Sequence, residues 1–152
     1  MKDILIEDMI MNPLVRDIIQ TADNFVQSLP ESHRKDFDYS VHSLAEVDDF
    51  LEWISDSLSG DDDIYNMSSS VGCYVFETAR RNYGGEYYWI KKEEQPILVA
   101  GEPDFAVTIR AWEKVRGRIV NGKEDSIPFY IAGYAEHIAI GKEKKGYYAT
   151  IV

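Results

Sequence analysis

Cysteine and histidine are scarce in this chain, with one Cys and three His in 152 residues. A lone Cys73 excludes an intramolecular disulfide; that fits a reducing cytoplasm, the setting expected here, and a single Cys fits a secreted protein too. His33, His42 and His137 lie far apart, with no pair at ligand spacing such as His-x-x-x-His. No zinc site is therefore expected. No cofactor motif is expected either. Long apolar runs are missing too. None reaches the roughly 18 residues that a membrane span needs. The opening MKDILIEDMIMNP does not read as a secretory signal, because Asp3 follows Lys2 and Glu7 and Asp8 interrupt the apolar stretch.

Positive charge is in short supply in the first half. Residues 1–82 carry 17 Asp/Glu against 6 Lys/Arg, while residues 83–152 carry 10 of each. The whole net charge of −11 therefore sits before residue 83. Such a balance argues against nucleic acid or an anionic membrane as partner of that half. What remains is ordinary for one globular domain over 1–152, with 45% hydrophobic residues and ten Tyr.

The apolar periodicity predicts helices first. Asn12-Pro13 opens one, with Asn12 as cap, and Leu14, Val15, Ile18, Ile19, Ala22, Phe25, Val26 and Leu29 form its stripe up to Pro30. Before it, Ile4-Leu5-Ile6 and Met9-Ile10-Met11 fit a short helix or a strand. Ser43 to Leu58 reads as a second helix with a Ser43/Glu46 capping box, stopped at Gly60. Asp61-Asp62-Asp63 then caps a third, from about Asp62 to Asn82, whose narrow polar wedge is Glu77, Arg80 and Arg81. Gly84-Gly85 breaks it.

The period then changes. Residues 86–92, 96–100 and 105–109 read as three strands of an antiparallel meander with Gly/Pro turns. Ala111 to Val120 is a short basic helix. Asp125-Ser126 caps another, with Ile127, Ile131, Tyr134 and Ile138 inward, and residues 147–152 fit a last strand. The predicted class is α+β, with long N-terminal helices packed on a small antiparallel meander and two shorter C-terminal helices.

Two stretches carry a resemblance. One is Asp36-Phe37-Asp38-Tyr39-Ser40 with Ser43-Leu44 and Val47-Asp48-Asp49-Phe50-Leu51. The other is Gly72-Cys73-Tyr74 with Glu77, Arg80, Arg81, Asn82, Gly84-Gly85 and Trp89. Together, over residues 36–130, they resemble small bacterial domains of the DUF3806-like kind, although Phe76 stands where those domains often have Gly. The resemblance implies a compact bacterial α+β domain. It implies no activity and no catalytic residues.

Candidate sites have two readings each. Glu77 with Arg81 is either a carboxylate held for binding or acid–base work, or an i, i+4 ion pair fixing a helix. A ligand pocket would be built from Glu77, Arg80, Arg81 and Trp89. Cys73 lacks a neighbouring His and reads as buried rather than nucleophilic. The Asp61–Asp63 run lacks the alternating ligands of a calcium loop. Gly84-Gly85 follows a helix, so it is no phosphate cradle. Arg110, Lys114, Arg116, Arg118 and Lys123 read as a solvated helix face. Glu46, Asp49, Glu52 and Asp56 lie on the second helix away from its Leu44/Val47/Leu51/Ile54 stripe and should face water. The expectation is a non-enzymatic interaction protein of immunity type, whose acidic half, through these four residues, meets a basic protein partner. The alternative is a small ligand-binding or enzymatic domain using the Glu77 pocket.

Overall fold

The computed structural model describes residues 12–152. The reading of Ile4 to Met11 lies outside the described residues. Among these described residues six α-helices and four strands follow in order: α1 Pro13–Ser28, α2 Glu31–Arg34, α3 Leu44–Ile54, α4 Gly60–Tyr83, β1 Glu86–Ile90, β2 Gln95–Ala100, β3 Ala106–Ile109, α5 Ala111–Asn121, α6 Ile127–Glu143 and β4 Tyr148–Thr150. The class is α+β. The sheet runs β1-β2-β3-β4, with β1–β2 and β2–β3 antiparallel as the meander requires. β4 departs from the expectation. It pairs parallel to β3, because α5 and α6 carry the chain back across before it rejoins the sheet. Nor are both late helices short. α6 has 17 residues against 16 in α1.

Strand alternation splits the sheet into two faces. Tyr87, Leu98, Ala100, Val107 and Ile109 enter the main core, while Ile97, Val99 and Ala106 form a small separate cluster with Ile90. α4 runs through the middle of the main core. Every residue from Val71 to Ala79 is buried, so this stretch has no solvent side. Phe25 of α1 joins three segments by edge contacts, with ring centroids 5.8 Å from Phe37, 5.4 Å from Phe50 and 6.0 Å from Tyr74. Such pairs add about 0.5–1.5 kcal/mol each beyond area burial.

Three helix starts differ from expectation. Asn12 precedes α1, but its side chain makes no cap bond, and Pro13 alone marks the start. The Ser43/Glu46 box does not form either. Ser40 is the cap: its Oγ accepts from Ser43 N at 3.2 Å, and a 3-10 turn over Val41–Ser43 leads into α3. Ser43 is buried and used sideways. Its hydroxyl donates to Ser40 O at 2.6 Å, so the 2.7 Å contact with Tyr74 has the tyrosine as donor. Gly60 opens α4 instead of stopping the helix before it. There Asp63 accepts from the Ser59 backbone N–H and hydroxyl, at 3.2 and 3.3 Å. Ser126 does cap α6, accepting from Phe129 N at 3.3 Å, whereas Asp125 turns away to Lys114 and Asn121.

One stability prediction follows from the relocated cap. Ser40→Ala is expected to cost about 0.5–2 kcal/mol. It would be read as a lower urea midpoint at unchanged m-value. An unaltered midpoint would show that the 3-10 turn holds without its cap.

Candidate functional site

Four residues sit where the sequence marked the pocket, and the structure divides them. Glu77 is fully buried, at 0% exposure. Its Oε1 accepts from Arg80 Nη2 at 2.9 Å and Arg81 Nε at 3.0 Å. Its Oε2 accepts from Arg80 Nε at 2.6 Å and the Tyr87 hydroxyl at 2.8 Å. A carboxylate has about four lone-pair sites, and all four are filled. Burial pushes its pKa up, but the donors Arg80, Tyr87 and Arg81 outweigh that and hold it below the usual range. Glu77 thus binds α4 to β1 and has no lone pair left for a ligand. Arg81 is further engaged, its guanidinium lying 3.7 Å over the Tyr39 ring. Tyr39 itself adopts φ 64°, stacks on Tyr74 and donates to Asp23 at 2.5 Å.

Trp89 stands apart from this cluster. It lies two residues beyond Tyr87 on the same strand face, and its ring meets Trp112 of α5 edge-on at 6.0 Å. Trp112 in turn meets Tyr65 of α4 at 6.1 Å. Gly72 makes room for it, because a Cβ there would come within 2.6 Å of the indole Cδ1 and 3.0 Å of Trp112 Cα. The indole N–H points to Cys73 Sγ at 3.4 Å. Burial pushes the Cys73 thiol up to about 11, so it stays protonated at neutral pH and is no nucleophile.

The four acidic residues marked on the second helix also separate: Glu46, Asp49 and Glu52 lie on α3, and Asp56 lies in the 3-10 turn Ser55–Ser57 after it. Glu46, Asp49, Glu52 and Asp56 are all exposed. Glu52 is nonetheless tied, since its Oε2 accepts from Arg118 Nη1 at 2.9 Å. Glu46, Asp49 and Asp56 form no ion pair among the described residues. The sequence reading overlooked their neighbour Trp53, which is 73% exposed. Positions 46, 49 and 53 follow 3-4 spacing and form one stripe within about 60° of the α3 surface, at about 100° per residue, and Asp56 follows in the 3-10 turn Ser55–Ser57. The Trp53 ring centroid lies 6.2 Å from that of Phe50, tilted by 53°. The signal was available, because Trp53 falls outside the apolar stripe of α3.

Of the basic set, Arg116 and Lys123 are exposed as expected, but Arg110, Lys114 and Arg118 are not a solvated face. Arg118 is only 1% exposed, because α5 packs against α3 and turns that side inward. Lys114 pairs with Asp125 at 2.8 Å and Arg110 with Glu93 at 2.9 Å. These two pairs border an open groove of about 560 Å³ with Tyr130 in its lining. A smaller cavity, of about 180 Å³, lies between α4, the β1–β2 turn and α5.

Among the described residues no helix is long and apolar enough to cross a membrane. No family model, no curated protein and no solved structure matches this chain.

Proposed function

We propose that the chain is a non-catalytic, cytoplasmic binding protein that docks a basic protein surface on α3. The role nearest to this is that of an immunity-type protein masking a basic toxin. One observation carries the reading: Trp53 stands out into water on the Glu46–Asp49 side of α3, just before Asp56 in the turn that follows. Tryptophan is highly buried on average, so an exposed one has an unusual place. Aromatic anchors dominate binding energy once a partner dries them. The surrounding carboxylates would steer a basic partner and reject acidic ones. The small bacterial domain suggested by the likeness of residues 36–130 to DUF3806-like domains belongs to the same proposal. The alternative pocket around Glu77, Arg80 and Trp89 has no support in the geometry, since Glu77 is saturated and Trp89 belongs to another contact.

Glu46→Gln, Asp49→Asn and Asp56→Asn together, with and without Trp53→Ala, test the reading. Glu52 is left intact because it holds Arg118. Capture from the native host first names the partner, and association kinetics are then measured at low and high salt. The triple variant is expected to associate at least several-fold more slowly and to lose most of the salt dependence. Trp53→Ala is expected to raise the dissociation rate instead. Folding stability should stay within about 0.5 kcal/mol, as for other exposed positions. Kinetics unaffected by all four substitutions would remove α3 from the mechanism.

A further inference from the structure

The 180 Å³ cavity beside Trp112 has the chemistry of a cation subsite. Its aromatic wall is Tyr65 and Trp112, with centroids 6.1 Å apart at 86°. Its rim carries Glu93, Glu94 and Glu113. Glu93 is in an ion pair with Arg110, whereas Glu94 and Glu113 form none among the described residues. Ser68 of α4 supplies the independent observation. It lines the cavity, is 4% exposed, and its buried Oγ has no hydrogen-bond partner among the described residues. A helical serine usually bonds back to its own helix, as Ser69 does to Asn66 O at 3.1 Å. An orphaned buried hydroxyl is destabilising unless something fills its valence.

We propose that this cavity receives one arginine side chain of a protein partner. The guanidinium would lie on an aromatic face, donate to Ser68 Oγ and fork to Glu94 or Glu113. Guanidinium fits better than ammonium because it is planar, stacks on rings and presents paired donors to a carboxylate. The size agrees. Pockets for whole small molecules run to about 300–1,000 Å³, and this one is below that range. Two exposed rings that meet Trp112, Tyr65 at 53% and Trp89 at 47%, give the rest of a peptide something to cover. Arg116 also lines the cavity and opposes the ligand. That opposition gives the test a second sign.

The inference does not depend on Trp53 or α3. The full chain, labelled with ¹⁵N, would be titrated with the capped tripeptide acetyl-Gly-Arg-Gly-amide. The Trp112 indole N–H resonance and the Ser68 amide are followed. A saturable shift of both is expected, absent with the citrulline tripeptide, which keeps the shape and loses the charge. Glu94→Gln, Glu113→Gln and Ser68→Ala should each weaken the dissociation constant about three- to fivefold, and Arg116→Gln should tighten it by a similar factor. Trp53→Ala should change nothing, which separates this site from the α3 surface. Equal shifts with the citrulline peptide, or no shift at all, would overturn the proposal. So would a clearly tighter response to free agmatine, which would assign the cavity to a small amine.

Discussion

Replacing Glu77 by alanine is expected to destabilise the protein by about 3–5 kcal/mol, the usual cost of breaking a buried ion pair by removing one partner. Four hydrogen bonds vanish at once, and the Tyr87 hydroxyl is left buried without its acceptor. Glu77→Gln separates charge from shape. It keeps an oxygen for Tyr87 but removes the counter-charge of Arg80 and Arg81. Those side chains are 33% and 38% exposed, so water recovers part of the loss. A smaller cost, of about 1–3 kcal/mol, is expected. The pH dependence has a definite sign. The folded-state pKa lies below the ordinary 4.5, so the unfolded chain takes up the proton first. The contribution is therefore whole above pH 4.5 and is lost as pH falls through the lower folded value. Urea midpoints measured from pH 6 to pH 3 should fall along this leg in the wild type and fall less in Glu77→Gln. Parallel curves for the two would mean that another carboxylate carries the acid limb.

The helix pattern was legible because hydrophobic period depends on burial alone. Ile18, Ala22, Phe25 and Val26 of α1, and Leu44, Val47 and Leu51 of α3, are buried as their spacing requires. The break at Gly84 was legible because φ 86° there suits glycine. Caps were not. Ser40 and Ser43 both precede α3, and only the 3-10 turn decides which one caps and which one meets Tyr74. The parallel pairing of β4 depends on how α5 and α6 pack, which no local signal carries. For the candidate residues the limit is the same. Charge type is written in the sequence, but whether a charge is free or spent depends on a partner far along the chain. Arg118 is 66 residues from Glu52, and Glu77 is 10 from Tyr87. Residues 72–74 show this most plainly. The short motif Gly-Cys-Tyr looks like a family mark. In the fold, Gly72 seats Trp112, Cys73 receives its indole N–H, and Tyr74 closes the Ser43 turn.

Arg118→Ala is expected to cost about 3–5 kcal/mol, for a different reason from Glu77. Here one buried cation joins three segments. Its Nε and Nη2 donate to Asp48 Oδ1 and Oδ2 at 2.9 and 3.3 Å, and Nη1 donates to Glu52 at 2.9 Å. Asp48 Oδ1 also accepts from the Ile127 N–H at 3.0 Å, so the same carboxylate holds the start of α6. Burial lowers the Arg118 pKa, but the hydrogen bonds it donates to Asp48 and Glu52 raise it overall, so the cation stays charged. Removing it leaves a cavity and strips Asp48 of its counter-charge. Arg118→Lys keeps the charge but cannot fork to Asp48 and reach Glu52 together, and about 1–3 kcal/mol is expected. Glu52→Gln should cost no more than about 1 kcal/mol, because Glu52 is half in water. The ranking matters more than any single value. It is measured by urea denaturation of the three variants at one pH. It also bears on binding, because Arg118 is what fixes the inner edge of α3, while Glu46, Asp49 and Asp56 point away from it. If Glu52→Gln were as damaging as Arg118→Ala, the tie would depend on the rim carboxylate, and the division into two acids tied to Arg118, Asp48 and Glu52, and three available, Glu46, Asp49 and Asp56, would fail.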